Sequence, residues 1–271
     1  MSMFINTNVG AINAHRNLGM NNTAMSKTME KLSSGFRINR AADDAAGLAI
    51  SEKMRFQIGG MNQAMRNAQD GISLIQTAEG ALTEVHSMLQ RLNTLANQSA
   101  TGTYDDKDRA NTQKEVNSLI KEINNIATST NFNGTKLLSA AGSIKFQIGV
   151  DKANVLTAKL AAMGAGALGI SGLSISSQAA AATALAKISS ALNKVSAQRA
   201  DFGAVQNRLE HTINNLGVTA ENLSASESRI RNADMAKEMT DFTRNQILVQ
   251  AGTAMLAQAN SAPQSVLKLL G

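Results

Sequence analysis

Residues 58–96 read IGGMNQAMRNAQDGISLIQTAEGALTEVHSMLQRLNTLA, and the spacing of their apolar side chains decides the fold. The apolar positions are separated by alternating gaps of three and four residues, with one extra gap of three between Ile75 and Ala78. This heptad pattern predicts an α-helix with an apolar seam for a partner helix. At about 1.5 Å per residue, the helix is about 57 Å long. Gly71 and Gly80 each cost about 1 kcal/mol relative to Ala, so we expect close packing to offset them.

A second heptad pattern of nearly the same length has Leu185, Leu192 and Leu223 on its seam. Matched lengths predict that the two long helices lie side by side. A shorter helix between them has an apolar face over 116–126. Asp105, just upstream, suits the start of this helix because a carboxylate accepts hydrogen bonds from free backbone N–H groups there.

The middle of the chain has a different pattern. Apolar and polar residues alternate at 143–149 and at 156–160, which is typical of half-buried strands. Several glycines interrupt the segment that follows, including GAGALG at 164–169. We therefore predict one or two short hairpins within 136–177 and a flexible hairpin loop at 164–169.

Each end of the chain offers one helix with a thin, Ala-rich apolar stripe. Such helices are marginal in water on their own, so we expect them to pair with each other or with neighbouring copies of the chain. Polar connectors at 33–46 and 225–240 separate them from the long helices. The side chains predicted to pack the terminal helices are Leu18, Met25, Met29, Leu32, Ile247, Met255 and Leu267.

The predicted fold is mainly α: a long antiparallel helical coiled-coil rod, with a small β-hairpin region in the middle of the chain and paired helical termini. We predict a terminal helical domain formed by 1–45 with 230–271. A rod domain covers 46–229 and includes the hairpin region 136–177. No large outer domains are expected.

The two connectors hold opposite charges that could pair if the antiparallel helices bring them together. The residues concerned are Arg37, Arg40, Asp43, Asp44, Arg229, Arg231 and Asp234. We predict Arg–Asp ion pairs across the connectors. The alternative is a solvated surface, where each pair contributes about 0–1 kcal/mol.

Composition and charge argue against several other classes of function. The formal net charge is +6, but Lys and Arg are scattered singly, so a nucleic-acid partner is a weaker hypothesis than a solvated surface. No apolar run suits a membrane span, and residues 1–10 do not have the pattern of a conventional signal peptide. The absence of Cys excludes disulfides and thiolate sites.

Catalytic and metal-binding patterns are also weak. His15, His86 and His211 are isolated in sequence, and the acidic group around Asp106 lacks the Gly and Glu that a calcium-binding loop requires. The segment 164–169 fits G-x-G-x-x-G but is not followed by a helix pattern and a distant acidic residue. We therefore expect neither an enzyme nor a cofactor or metal.

Several ordered blocks of sequence resemble bacterial flagellins, over about 1–140 and 180–271. These blocks are FINTN at 4–8, EKLSSGFRIN at 30–39, DDAAGLAI at 43–50, RNAQDGIS at 66–73, TAEGAL at 77–82, LQR at 89–91, FNG at 132–134, AENL at 220–223, SESRI at 226–230, DMA at 234–236 and PQSVL at 263–267. Two features differ: Met3 competes with Met1 as the native start, and the middle is very short.

The resemblance implies a filament subunit for swimming motility. Flagellins are exported unfolded, assemble at the filament tip and lie outside the cell. Implied partners are further copies of the chain, cap and hook-junction proteins, and an export chaperone at the C-terminal helix, about 244–271. No nucleic-acid or membrane partner is implied. The short middle predicts a thin, smooth filament.

The resemblance also implies a host receptor. Toll-like receptor 5 recognises flagellins around an LQR segment, and the matching residues here are Arg91, Leu95 and Glu115. The alternative is that these residues serve subunit packing. At the level of the whole chain, the alternatives are a hook–filament junction protein and a basic coiled coil that binds nucleic acid.

Overall fold

The computed structural model describes the backbone of residues 7–270 and the side chains of residues 7–261. Within these residues the chain forms six helices and four short strands. In chain order they are α1 Val9–Ser34, α2 Ala45–Ala100, α3 Asp106–Ser129, β1 Asn131–Phe132, β2 Thr135–Lys136, β3 Gly142–Gln147, β4 Val155–Leu160, α4 Ala165–Leu168, α5 Gln178–Arg231 and α6 Met235–Leu270. This order confirms the predicted mainly α fold, with helical termini and small antiparallel strand pairs in the middle.

The chain divides into two compact units. The terminal unit consists of Met1–Phe56 with Glu221–Gly271, and the central unit is Gln57–Ala220. The division falls inside α2 and α5. It is eleven residues after the predicted boundary at 45 in α2 and nine residues before the predicted boundary at 229 in α5. The physical reason is that the start of α2 and the end of α5 both bond to the first connector. The N–H of Gly47 donates to Asp44 at 2.8 Å, and the guanidinium of Arg37 donates to the carbonyl of Ile230 at 2.6 Å.

In the central unit, α2 and α5 run antiparallel side by side, as the heptads predict. The guanidinium of Arg199 lies 3.5 Å from the carboxylate of Glu79, and Leu209 packs beside Gly71. Buried positions on α2 follow the predicted seam closely. Eight of the predicted seam positions are buried: Ala68, Ile75, Ala78, Leu82, Val85, Leu89, Leu92 and Ala96. The other four, Ile58, Met61, Met65 and Ile72, are half-buried, and Ala64, Leu74 and Leu95 are buried beside the seam.

The seam of α5 differs from the prediction in its first half. Its buried positions there are Ala181, Ala184, Ile188, Ala191, Val195, Gln198 and Phe202. Leu185 and Leu192 are only partly buried. The buried face is displaced because strand β4 packs against that side of α5. The side-chain amide of Gln198 on α5 donates a 2.9 Å hydrogen bond to the carbonyl of Lys159 on β4.

Two antiparallel hairpins form the β region, in agreement with the predicted one or two. β1 pairs with β2, which places the first hairpin partly ahead of the predicted boundary at 136. Its turn residues Asn133 and Gly134 both have positive φ, 48° and 80°, as a tight hairpin turn requires. β3 pairs with β4, and the alternate residues of β4 are buried as predicted.

The glycine-rich segment 164–169 is not the flexible hairpin loop that we predicted. It forms the one-turn helix α4, because Asn124 accepts a 2.8 Å hydrogen bond from the backbone N–H of Ala165 and caps the turn. Ala165 and Leu168 are buried, and Gly169 ends the helix with a left-handed φ of 81°. Local packing therefore orders a segment whose composition favours flexibility.

Helix starts and connectors follow simple capping chemistry. As predicted, Asp105 caps α3, accepting a 2.7 Å hydrogen bond from the backbone N–H of Asp106.

The second connector is shorter than predicted, since α5 continues to Arg231 and only 232–234 separate it from α6. Polar residues at 225–231 are compatible with a helix, so polarity alone did not mark an irregular segment.

The apolar core lies in the central unit and extends from Ala68 to Leu209. In the terminal unit, by contrast, the buried apolar side chain among the described residues is Ile38, at 2% exposure. No buried residue occurs on α1. The terminal unit is therefore held together by half-buried contacts and polar bonds.

Candidate functional site

The terminal helices α1 and α6 pair in antiparallel orientation. The side-chain amide of Asn8 donates a 2.7 Å hydrogen bond to the carbonyl of Ala259. At the other end of the pair, the ammonium group of Lys31 lies 3.3 Å from the carboxylate of Glu238. Opposite ends of the two helices are thus tied together, which agrees with the predicted pairing of the terminal helices.

Close approach of α1 and α6 occurs at Gly252. A Cβ atom at this position would lie 3.3 Å from Cδ1 of Leu18, so the two helices meet where α6 has no side chain. The half-buried positions Val249, Leu256 and Ala259 share the spacing of Gly252 and lie on the same stripe. Small residues at a helix contact allow the backbones to approach closely.

The residues predicted to pack the terminal helices therefore separate into two groups. Leu18, Met25 and Leu32 are half-buried on α1. Met29, Ile247 and Met255 are 51%, 59% and 65% exposed, so they do not pack the α1–α6 pair. Leu267 lies outside the residues whose side chains are described. For Ile247 and Met255 the predicted contact within one copy is wrong, because α6 turns the stripe of Val249, Gly252, Leu256 and Ala259 towards α1. Packing of the three exposed residues against neighbouring copies, which the prediction also allowed, stays a prediction.

An unusual number of large apolar side chains is exposed on the terminal unit. It holds eleven of the thirteen such residues among the described side chains. These are Val9, Ile12, Met20, Met29, Ile50, Phe56, Met235, Met239, Ile247, Leu248 and Met255. We call the nine of them that lie on α1 and α6 the outer apolar surface. Exposed apolar side chains in this number are candidates for contact with other chains.

Backbone hydrogen bonds join the first connector to the last residue of α5 and to the second connector. The N–H of Arg37 donates to the carbonyl of Arg231 at 2.7 Å, and the N–H of Ala233 donates to the carbonyl of Gly35 at 2.9 Å. The guanidinium of Arg231 lies 4.8 Å from the centroid of the Phe36 ring, which is cation–π geometry. The connectors are adjacent, as the antiparallel arrangement predicts.

The charged connector residues do not form the predicted Arg–Asp pairs. Arg231 instead pairs with Glu52 at 2.7 Å, and Arg40 pairs with Glu30 at 2.9 Å. The guanidinium of Arg37 donates to the backbone carbonyl of Ile230 at 2.6 Å. Arg229 donates to the hydroxyl of Ser226 at 3.0 Å.

The aspartates of the connectors accept hydrogen bonds from backbone N–H groups. Asp44 accepts from Gly47 at 2.8 Å at the start of α2, and Asp234 accepts from Ala236 at 3.0 Å at the start of α6. Asp43 closes the turn of the first connector by accepting from Asn39 and Arg40. Because the aspartates bond to backbone N–H groups, Arg231 and Arg40 pair with glutamates and Arg37 bonds to a backbone carbonyl. The predicted Arg–Asp ion pairs across the connectors are not formed.

The residues that match the receptor segment lie in the central unit. Arg91 on α2 and Glu115 on α3 are both exposed and form an ion pair at 2.8 Å. The hydrogen bond that Arg91 donates to the carboxylate of Glu115, together with the negative charge of that carboxylate, raises the pKa of Arg91 above its ordinary value. Leu95 is only 1% exposed and belongs to the core, so the predicted apolar contact of Leu95 with a receptor does not fit the folded chain.

Sequence reasoning missed Glu52, Glu238 and Gly252. Glu238 is acidic and lies in the first turn of α6, where the helix dipole stabilises a negative charge. Its position near the helix start could have identified it from the sequence. Gly252 could have been identified as a small residue in an Ala-rich helix. Glu52 carries no local pattern that distinguishes it from other exposed glutamates.

No group of three or more His, Asp or Glu side chains in residues 7–261 is placed to hold a metal ion. None of the helices within the described range is both long enough and apolar enough to cross a membrane.

These features define a class: a mainly helical protein whose paired terminal helices expose large apolar side chains. Comparison with known proteins assigns a family. The chain matches the model of the bacterial flagellin N-terminal helical region over residues 5–143 and that of the C-terminal helical region over residues 185–270. The chain therefore belongs to the bacterial flagellin family, whose members are structural proteins.

Individual relatives support this assignment over the whole chain. A flagellin of Halalkalibacterium halodurans is 53% identical over 271 residues, and one of Bacillus subtilis is 51% identical over 303 residues. A flagellar filament 33 kDa core protein of Treponema phagedenis is 50% identical over 285 residues. In each case 99% of this chain and all of the relative are covered.

Solved structures agree with the fold. The crystal structure of Bacillus cereus flagellin is 34% identical, with a TM-score of 0.52, and the match covers 60% of this chain and 94% of that one. A putative flagellar hook-associated protein from Vibrio parahaemolyticus shares the fold at 14% identity, with a TM-score of 0.59 over 70% of this chain and 100% of that one.

Proposed function

We propose that this chain polymerises into the flagellar filament and that copies contact one another through the outer apolar surface of α1 and α6. The observation that carries the proposal is the exposure of these side chains on helices that already use their other faces for pairing. The relative from Treponema phagedenis is by name a filament core protein. In a homopolymer, the chain that covers the outer apolar surface is a second copy of the same protein.

Energetics support association through this surface. Ile247 and Met255 are more than half exposed, and burying one large apolar side chain contributes about 1.5–3 kcal/mol. The terminal unit gains little from its own interior, where Ile38 is the buried apolar side chain among the described residues. Contacts between copies would thus supply the apolar burial that one copy lacks.

The test is seeded polymerisation of a variant with Ile247→Gln and Met255→Gln. Gln preserves helix formation but removes apolar surface. We expect the concentration needed for fibre growth to rise about tenfold or more, with unchanged circular dichroism of the monomer. Val218→Gln is the matched control, because Val218 is 60% exposed on α5 in the central unit. Normal fibre growth of the double variant would refute the proposed contact.

The same experiment separates the filament subunit from a hook–filament junction protein. A filament subunit extends a seed into long fibres of the pure protein. A junction protein is incorporated in few copies and does not. We also propose that the filament is thin and smooth, since the segment between α3 and α5 is short and holds two hairpins and one helical turn.

Export in an unfolded state, assembly at the tip and an extracellular location belong to the same proposal. Support comes from the terminal helices, which gain stability mainly from partners. A chaperone that binds about 244–271 in the cytoplasm would cover exposed residues such as Leu248 and Met255 before export. Cap and hook-junction proteins are the further partners that the family implies.

Recognition of the monomer by Toll-like receptor 5 is proposed through Arg91 and Glu115, without Leu95. Both side chains are exposed and already form a charged pair that a partner could engage. Arg91→Ala is expected to weaken the response of reporter cells to the monomer about tenfold. Arg66→Ala is the matched control, since Arg66 is exposed on α2 and bonds to Gln63 of the same helix. An equal response for both variants would contradict the assignment.

A further inference from the structure

The net positive charge of the chain is concentrated in one stretch of sequence. Residues 123–200 contain seven Lys and Arg residues and one carboxylate, so their formal net charge is +6, equal to that of the whole chain. Charges in the remaining residues balance. In sequence these lysines are well separated, but the stretch folds into the hairpins, α4 and the first part of α5.

The β3–β4 hairpin brings two of these lysines to the same exposed face. Lys145 lies opposite Thr157, and Lys159 lies opposite Ser143. All four residues are exposed, whereas Phe146, next to Lys145 in sequence, points to the opposite face of the hairpin and into the core. We call this set of four exposed residues the lysine face. Lys145 and Lys159 are diagonal neighbours, a relation that corresponds to about 7–8 Å across an antiparallel pair.

Neither lysine has a neutralising partner nearby. Among the ion pairs of the described residues, none involves Lys145 or Lys159. Lys152 in the turn between the strands is also exposed and adds to the positive potential. Asp151, the one carboxylate of the stretch, is in that turn rather than on the lysine face.

The hairpin also holds the lysine face in a fixed position. The carbonyl of Lys159 accepts a hydrogen bond from the buried side chain of Gln198 on α5. Beneath the face, Phe146 and Leu156 are 9% and 2% exposed and anchor both strands in the core. A rigid platform loses less entropy when it binds a ligand.

We propose that the lysine face binds an acidic polysaccharide, that is, a glycan chain with carboxylate or sulfate groups. The ammonium groups of Lys145 and Lys159 supply charge for the anions. The hydroxyls of Ser143 and Thr157 beside them both donate and accept hydrogen bonds, which suits sugar hydroxyls. Charge and hydroxyl groups thus alternate on one surface as they do along such a glycan.

Other polyanions fit the lysine face less well. Single-stranded nucleic acid favours aromatic side chains on which bases stack, and the aromatic ring of this hairpin, Phe146, is buried. A membrane surface favours a broad exposed apolar face beside the basic one, whereas β4 offers Val155 at 38% exposure. The choice of a glycan also rests on the extracellular location proposed above.

The test measures binding of the full-length monomer to three probes: heparin, polygalacturonate and neutral dextran. We expect salt-sensitive binding to the first two and none to dextran. Lys145→Gln with Lys159→Gln should weaken heparin binding about fivefold. Lys107→Gln with Lys121→Gln is the matched control, because both lysines are exposed on α3 and the change in net charge is the same.

Three results would overturn the assignment. Equal losses in the two double variants would show that net charge alone attracts the polymer. Tighter binding to a DNA duplex than to either acidic glycan would favour nucleic acid. Failure of the Lys145 and Lys159 variant to polymerise, with heparin binding intact, would assign the face to subunit contact. Glycan binding is measured on the monomer, so its failure leaves the proposed polymerisation untouched.

Discussion

Two glycines within α2 look alike in sequence but differ in their surroundings. A Cβ atom on Gly71 would lie 3.2 Å from the ring of Phe146 and 3.3 Å from Cδ1 of Leu209, both of which are buried. A Cβ atom on Gly80 would meet nothing within 4 Å. Close packing therefore offsets the cost of glycine at Gly71, and no such contact does so at Gly80.

This difference predicts opposite effects of the same substitution. Gly80→Ala should raise the free energy of unfolding by about 0.5–1 kcal/mol, because Ala favours the helix and reduces the freedom of the unfolded chain. Gly71→Ala gains the same propensity but crowds two buried side chains, and we expect a net loss of about 1 kcal/mol. Thermal unfolding of both variants checks this, and a stabilised Gly71→Ala would contradict the packing argument.

Gly252 shows why the terminal-helix contacts were only partly predictable. The sequence pattern favours Ile247 and Met255 as contact residues, because Ile247, Ala251, Met255 and Gln258 follow helical spacing. The observed stripe is Val249, Gly252, Leu256 and Ala259, which lies one or two residues further along the helix. Both stripes mix large apolar and small residues, so spacing alone does not distinguish them. The close approach of the two backbones at Gly252, where α6 has no side chain, does.

At the scale of elements, the first connector is ordered by Asp43. Its carboxylate accepts hydrogen bonds from the backbone N–H of Arg40 at 3.0 Å and of Asn39 at 3.2 Å. These bonds, with that of Arg40 the stronger influence, lower the pKa of Asp43 below its ordinary value of 3.8. The charged form is therefore the one that closes the turn.

The pH dependence of this turn follows from the direction of the shift. A carboxylate whose pKa is lowered in the folded state stabilises the fold fully above its ordinary pKa of 3.8. That stabilisation is lost as the pH falls through the pKa of the folded state. We expect the amide proton shifts of Asn39 and Arg40 to be constant from pH 7 to 5 and to change below pH 3.8. Asp43→Asn is the control, because its amide oxygen accepts hydrogen bonds without titrating. An unchanged acid transition in that variant would remove Asp43 as the cause.

The helices and their pairing were predictable because heptad spacing is a long, repeated signal. The partners of the connector aspartates were not. A carboxylate next to arginines suits an ion pair and a helix cap equally well, and the choice depends on where the helix starts. Asp44 and Asp234 each lie within one turn of a helix start, so backbone N–H groups are their nearest donors.

The lysine face was likewise hidden in sequence. Lys145 and Lys159 are separated by a strand and a turn, and their common face follows from the register of β3 on β4. Alternation predicted the strands themselves, but it does not specify which residues stand opposite each other. Register depends on the length and geometry of the turn between the strands.

For the whole molecule, burial is distributed unevenly between the two units. The central unit holds the apolar core, whereas α1 has no buried residue. Helices with few buried contacts open more readily than the core of the same protein. The terminal unit should therefore be the less stable part of the monomer.

Hydrogen exchange provides the measurement. In the monomer, backbone amides of α1 and of the described part of α6 should exchange at least about tenfold faster than those of α2 between Leu74 and Ala96. In polymerised protein the two rates should become similar, because copies cover the outer apolar surface. Equal exchange in the monomer would contradict the uneven stability, and unchanged exchange after polymerisation would contradict burial of this surface.

Five side chains of the outer apolar surface are methionines: Met20, Met29, Met235, Met239 and Met255. Their thioether sulfurs are open to oxidants in the free subunit, and oxidation to the sulfoxide replaces an apolar group with a polar one. A subunit damaged in this way keeps its folded central unit but loses part of the surface through which it would join others. Chemical ageing of this protein should thus be a property of subunits awaiting assembly, while subunits already incorporated are shielded by their neighbours.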